Sequence, residues 1–229
     1  MAIDKLIIIT GASGGIGAEV ASLFSMQGYF VGVVSRQPKM LPNFDPERTM
    51  LITADVTDAK AFEQAVSQLE TRFGSVDCLI NNAGMVIPGA FDELTPEQNK
   101  QVIQLNVLGV MNGIHAVLPS MLQRNRGTII NISSLADRLP RPHLPVYAAS
   151  KAAVKSLTES LRAAYAKQGI RFCNIAPAKV KTAMMQQISV PDSDLISPSE
   201  MAEIIVWMHQ QPPHICIRDL VVAPTVYEL

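Results

Sequence analysis

A phenol and an ammonium stand four residues apart at Tyr147 and Lys151, and a hydroxyl, Ser134, lies thirteen residues upstream. On a helix the i,i+4 spacing stacks Tyr147 and Lys151 one turn apart on one face. An ammonium beside a phenol favours the phenolate and is expected to lower the tyrosine pKa from its ordinary value of about 10. A tyrosine tuned in this way can pass a proton near neutral pH. Such a pair also occurs on ordinary helices, so its meaning depends on what the rest of the chain builds around it.

The elements that must position these groups alternate. Lys5–Ile9 is a β-branched run that ends at Thr10-Gly11 and reads as a strand buried on both faces. TGASGGIG follows at 10–17, then helical spacing over Ala18–Met26. A glycine-rich turn between strand and helix is the context in which such glycines bind a dinucleotide. Gly11 allows the tight turn, Gly15 the approach of a pyrophosphate to the backbone, and Gly17 close helix–strand packing. Tyr29–Ser35 is the second strand. Where an NAD-binding fold places an acid on the ribose 2′-hydroxyl, this chain reads Ser35-Arg36, and no acid follows until Asp45. A hydroxyl beside a guanidinium suits a 2′-phosphate and favours NADP(H) over NAD(H), the alternative being a solvated loop arginine.

Residues 39–49 carry Pro42 and Pro46 and read as a loop. Met50–Ala54 is the third strand, and Thr57 or Asp58 caps a helix over Ala59–Phe73. Val76–Ile80 runs into Asn81-Asn82-Ala83-Gly84, either a plain turn or small residues beside a ligand. Thr95–Leu122 is a long helix with Pro96 at N1 and Asn106 in its middle. A buried asparagine needs partners, which makes Asn106 a structural hydrogen-bonder or part of a site. Gly127–Ile132 is the fifth strand, ending at Ser133-Ser134. Tyr147–Gln168 is a helix with an apolar stripe of Ala149, Ala153, Leu157, Leu161 and Ala164, closed by Gly169. Arg171–Ile175, a helix over Ser199–Gln210 and Asp219–Ala223 complete the order. The alternation predicts an α/β fold: one domain over 1–229, a doubly wound parallel sheet of about seven strands with helices on both faces.

Composition narrows the partners. Hydrophobic residues make up 48% of 229, enough for a sizeable core. A net charge of −1 offers no electrostatic case for nucleic acid or an anionic membrane. Leu6–Ile9 is too short for a membrane span or a signal segment, so a cytoplasmic protein is expected. Cys78, Cys173 and Cys216 read as buried thiols in a reducing compartment, and the four histidines show no metal-ligand spacing, so no metal is expected.

Taken in order, TGASGGIG, Asp55-Val56, NNAG (81–84), Asn106, NISS (131–134), YAASK (147–151) and PAKVKT (177–182) resemble the short-chain dehydrogenase/reductase family in its Rossmann-like single-domain form. The resemblance covers nearly the whole chain. It implies that Tyr147 is the general acid/base, that Lys151 lowers its pKa and binds the nicotinamide ribose, and that Ser134 holds the substrate oxygen. Asn106 would anchor a water behind Lys151. Ser13, Ile16, Arg36, Asp55, Val56, Asn82, Ala83, Gly84, Pro177, Val180 and Thr182 would line the cofactor. The chain departs from the family with Pro177-Ala178 in place of Pro-Gly, with Gly14 where many NADP-preferring members carry a basic residue, and with no helix in 37–49. The tail, from SPSEMAEIIVWM (197–208) to Val221–Thr225, is similar to NADP-dependent members that oxidise short 3-hydroxy acids or reduce small carbonyls. The family commonly pairs subunits through helices equivalent to 96–122 and 147–168, which implies a homodimer or homotetramer. The implied reaction is hydride transfer between NADP(H) and a small carbonyl or alcohol. A non-catalytic NADP-binding sensor is the alternative, and such a sensor has no need of Ser134, Tyr147, Lys151 and Asn106 together. Arg138, Arg141 and His143, between serine and tyrosine, are candidates for a substrate carboxylate or else solvated loop charges, and Met184 and Met185 for a small apolar group.

Overall fold

In the computed structural model, which describes residues 3–183 and 195–227, seven strands form one parallel sheet in the order β3-β2-β1-β4-β5-β6-β7. The strands are β1 (Ile3–Thr10), β2 (Tyr29–Ser35), β3 (Thr49–Thr53), β4 (Val76–Asn81), β5 (Gly127–Ile132), β6 (Ile170–Pro177) and β7 (Asp219–Val222). The helices are α1 (Gly15–Met26), α2 (Ala59–Phe73), α3 (Pro96–Ile103), α4 (Gly109–Gln123), α5 (Pro145–Tyr165) and α6 (Pro198–Gln210). The chain winds outward from β1 to β3, then returns to β4 beside β1 and winds the other way. That reversal opens a crevice at the carboxyl ends of β1 and β4.

Period-two alternation explains why β1 is apolar from Leu6 to Ile9. Ile7 and Ile9 enter the core under α1 and α6 with Phe24, Ile205 and Met201, while Leu6 and Ile8 enter the opposite core under α2, α4 and α5 with Phe62, Leu69 and Val117. Asp58 caps α2 through Ala61 N–H, and Ser197 and Glu200 form a reciprocal capping box on α6. Residues 37–48 contain no helix, as their prolines predict.

Two expectations need correction. The helix expected unbroken over 95–122 contains a π turn, Gln104–Leu108, between α3 and α4. The turn holds Asn106, fully buried, where partners outside the helix reward the wider winding. The apolar stripe expected on α5 is divided. Leu157 and Leu161 pack partly buried on the core, Ala149, Ala153 and Ala164 are exposed, and the fully buried positions are Ser150, Lys151, Val154 and Thr158. Those polar groups go inward because partners await them: Thr158 Oγ1 takes a hydrogen bond from Asn131 Nδ2, and Asn131 Oδ1 takes one from Asn81 Nδ2, both 2.8 Å. Cys78 and Cys173 are buried, whereas Cys216 is only partly so, with its Sγ 3.9 Å from that of Cys173.

Gly113 on α4 sits against this asparagine chain. A Cβ there would lie 2.5 Å from Asn81 Oδ1, and Asn81 is held in place by Asn131. Gly113→Ala is therefore expected to destabilise the fold by roughly 1–3 kcal/mol despite the better helix propensity of alanine. An unchanged urea midpoint would contradict this packing argument.

Candidate active site

The site is built where β1, β4 and β5 end. At the switch point Thr10 Oγ1 accepts from the N–H groups of Asn82 and Ala83, both at 3.0 Å, and Asn82 Nδ2 donates to the carbonyls of Thr10 and Gly11. This lock holds NNAG against the glycine turn across 72 residues of sequence, and sequence reading passed over Thr10. Gly17 has no room for a side chain, since its Cβ would lie 2.4 Å from Asn82 Nδ2. Gly11 and Gly15 have φ of +67° and +57°, which glycine adopts without strain.

The crevice fits a dinucleotide. The amino end of α1 begins at Gly14 with no side-chain cap and no acid in its first turn, leaving its N–H groups and positive dipole open to a phosphate. Beside it a cavity of about 330 Å³ is lined by Gly15, Glu19, Lys181, Thr182, Ala183 and Pro198. Ser35, at the end of β2, is buried with its Oγ unpartnered, next to the exposed Arg36. Asp55 is held below the usual carboxylate range by the Thr57 N–H and hydroxyl, with help from the nearby Arg36 guanidinium. Ser13 is exposed in the turn, Ile16 packs against the core, and Val56 is buried behind Asp55. At the far side, Pro177 ends β6 and Val180 is buried and bridges to Ile196. Ala178 needs no glycine-like backbone here, because the positive φ falls on Lys179.

The hydroxyl, phenol and ammonium converge at the carboxyl end of β5. Ser134 follows the strand and caps a 3-10 turn, Leu135–Asp137. Its Oγ accepts from Ala136 N–H at 3.2 Å, which leaves the hydroxyl proton free to donate. Pro145 opens α5, so Tyr147 falls in the first turn and Lys151 one turn on. Lys151 is buried, donates from Nζ to the Ile132 carbonyl at 2.9 Å, and lies 5.7 Å from the Tyr147 ring centre. Burial pulls its pKa down to about 8, against the opposing pull of the Asp137 carboxylate. Tyr147 does not follow the expected downward shift. Burial pushes its phenol up, a hydrogen bond with Ser134 pulls it back, and Asp137 raises it further. Desolvation outweighs the stabilisation of a phenolate, and the Lys151 ammonium is drawn toward a carbonyl.

Asn106 is engaged on both ends of its amide. Oδ1 accepts from Met85 N–H at 2.8 Å, and Nδ2 donates to the Met85 carbonyl and to Ser150 Oγ. Ser150 Oγ in turn donates to the Tyr147 carbonyl at 2.6 Å. The π turn thus fastens the segment after NNAG to the first turn of α5. Gly84 lies between, where a Cβ would be 3.3 Å from Asn106 Oδ1 and 3.5 Å from Lys151 Nζ.

The loop arginines are partly exposed but engaged within the protein, and Arg138 is taken up by the protein's own carboxylates. Arg138 bridges two carboxylates of the protein itself, Asp137 and Asp219. Arg141 donates to the Tyr227 hydroxyl, and exposed His143 contributes its carbonyl to Gly89 N–H. Met184 and Met185 lie outside the described residues.

A family model for short chain dehydrogenases matches residues 5–192. The chain belongs to the short-chain dehydrogenase family. An uncharacterized oxidoreductase of Staphylococcus saprophyticus is 33% identical over 228 residues, covering 96% of this chain and 97% of that protein. Among solved structures, serine dehydrogenase from Escherichia coli superposes with a TM-score of 0.86 at 27% identity, covering 98% of this chain and all of that one. An actinorhodin polyketide ketoreductase solved with NADPH gives 0.88 at 28% identity, covering 98% of both. This short-chain dehydrogenase is accordingly an oxidoreductase on a Rossmann-like sheet.

Proposed function

We propose that the protein is an NADP(H)-dependent dehydrogenase/reductase that interconverts a small carbonyl and its alcohol, with Tyr147 as general acid/base. The observation that carries this reading is the convergence of Ser134, Tyr147 and Lys151 beside Gly84 of the NNAG segment, which is itself locked to the glycine turn. A nicotinamide dinucleotide, when bound, supplies or accepts the hydride. The protein does the rest. The Ser134 hydroxyl and the Tyr147 phenol hydrogen-bond the substrate oxygen where negative charge develops. Tyr147 delivers the proton in reduction and takes it in oxidation. Lys151 holds positive charge behind the phenol, and Asn106, through Ser150, holds the turn that presents Tyr147. The uncapped amino end of α1 receives the pyrophosphate, and Asn82, Ala83, Gly84, Val180 and Thr182 line the cofactor.

The preference for NADP(H) rests on Ser35 and Arg36. A buried, unpartnered hydroxyl and an exposed guanidinium complement a 2′-phosphate. Arg36→Ala is expected to weaken NADPH about ten- to a hundredfold, the loss of a charge-assisted hydrogen bond of roughly 1.5–3 kcal/mol, and to leave NADH nearly unchanged. Equal effects on both cofactors, measured by nicotinamide fluorescence titration, would remove Arg36 from this role.

The substrate is a short 3-hydroxy acid or a neutral small alcohol. With Arg138 bound to Asp137 and Asp219, the neutral form of a ketone is expected to show the higher kcat/KM against its carboxylated counterpart. Incubation with NADPH and a panel of carbonyls, following nicotinamide absorbance, tests the whole reading. Cofactor binding without turnover on any of them would favour a sensor. The protein is proposed to be cytoplasmic and to pair through the exposed small-residue face of α5, including Ala149, Ala153 and Ala164, which sedimentation would test.

A further inference from the structure

Behind the proposed catalytic pair lies a charge cluster that the family resemblance does not include. The Asp137 side chain is fully buried and takes four hydrogen bonds. Oδ2 accepts from Ser133 Oγ at 2.9 Å, Asn174 Nδ2 at 3.1 Å and Arg138 Nη2 at 3.1 Å, and Oδ1 accepts from Arg138 Nε at 2.6 Å. Arg138 continues to Asp219 on β7 through two hydrogen bonds of 2.8 Å, and Asn174 on β6 donates to both carboxylates. The cluster touches the catalytic elements directly. Ser133 Oγ, which holds Asp137, lies 3.3 Å from the Lys151 carbonyl, and Asp137 N–H donates to the Ser134 carbonyl at 2.9 Å. Two carboxylates and one guanidinium leave one negative charge, which acts on the buried Lys151 ammonium and, at Asp219, on Lys155.

We propose that Asp137 is a positioning residue for this reaction: its buried carboxylate, held by Ser133, Asn174 and Arg138 against the segments that carry Ser134 and Lys151, is a fixed counter-charge for the buried Tyr147–Lys151 pair. This inference rests on the proposed role of Tyr147 and Lys151. A buried lysine loses its proton unless an anion compensates the lost hydration. Among the described residues, Asp137 is the charge that acts on both Tyr147 and Lys151, and it favours the protonated form of each. The other charged groups packed around it are Arg138, which neutralises part of it, Asp219 on the partly exposed side of Arg138, and Lys155 on α5, which acts on Asp219.

Asp137→Asn keeps the shape and removes the charge, so both pKa values fall. The alkaline limb of reduction is expected to move about one pH unit to lower pH, and the acid limb of oxidation to move the same way. A tyrosinate absorbance titration of the cofactor-free protein reads the same shift, in the phenol that vanishes in Tyr147→Phe. Arg138→Gln removes the neutralising charge and moves the limbs to higher pH. Asp219→Asn, which loosens the same clamp from its solvent side, moves them far less and to lower pH. Limbs and phenol unmoved in Asp137→Asn, or moved as far by Asp219→Asn, would overturn the proposal. Should Asp137→Asn fail to fold, the opposed behaviour of Arg138→Gln and Asp219→Asn decides it, and equal shifts overturn it. If Tyr147→Phe retains turnover, the reading of the site falls. If it loses turnover while Asp137→Asn titrates as wild type, only the role of Asp137 falls.

Discussion

Tyr147→Phe lowers turnover by about 10²–10⁴-fold, the worth of a positioned general acid/base. The substitution removes one oxygen and keeps the ring, so the first turn of α5 retains its Ser150–Asn106 tether. Ser134 keeps its bond from Ala136 N–H and loses only the phenol. NADPH affinity therefore stays within a few-fold of wild type while kcat collapses. Measured kcat and KM for reduction, together with a cofactor titration of the same preparation, separate loss of chemistry from loss of binding. Near wild-type turnover would end the assignment of Tyr147. Because burial holds the phenol above its ordinary range in the cofactor-free protein, oxidation by the wild type is expected to need alkaline pH more than reduction does.

Lys151→Met separates function from stability. Activity falls by about a hundredfold or more, because the positive charge behind the phenol is lost. The fold, however, becomes more stable. An ordinary lysine at 10.5 drawn down to about 8 reflects a cost of roughly 3 kcal/mol for holding the charge inside. Methionine avoids that cost but leaves the Ile132 carbonyl without its donor, a loss of about 1–2 kcal/mol. The net gain of about 1–2 kcal/mol at neutral pH corresponds to a rise in Tm of a few degrees for a chain of this size. The pH dependence carries the sign. Below about pH 8 the lysine is charged in both folded and unfolded states, and the cost is present in full. Between about 8 and 10.5 the unfolded chain binds the proton that the folded chain has released, so wild-type stability rises with pH and the advantage of the variant shrinks. A variant that is less stable than wild type at pH 7, or a gap that widens toward pH 10, would contradict the buried-charge account.

Much of this protein was legible without coordinates, and for one reason: those features are set by neighbours in sequence. Strand β1 declares itself because both of its faces are buried, which makes every residue from Leu6 to Ile9 apolar. The glycine turn, the α2 cap narrowed to Thr57 or Asp58, and the Tyr147–Lys151 spacing are likewise local, governed by backbone geometry and the helical period. The parallel order follows from the alternation of strands and helices.

What the tertiary structure alone decided are contacts between distant segments. Thr10 locks to Asn82 across 72 residues, and Arg138 reaches Asp219 across 81. No local pattern marks either pair. Arg138 reads as a loop charge until β7 brings a second carboxylate to it. Hydrophobicity marks only Leu157 and Leu161 of the inward face of α5, because Asn131, Ile132 and Asn106 wait there as partners for the polar Thr158, Lys151 and Ser150. The phenol of Tyr147 followed the same logic. Spacing placed an ammonium near it, but its pKa is set first by desolvation, then by the opposing hydrogen bond with Ser134 and by Asp137, and these arise only when the loop, the strand and the helix close around it.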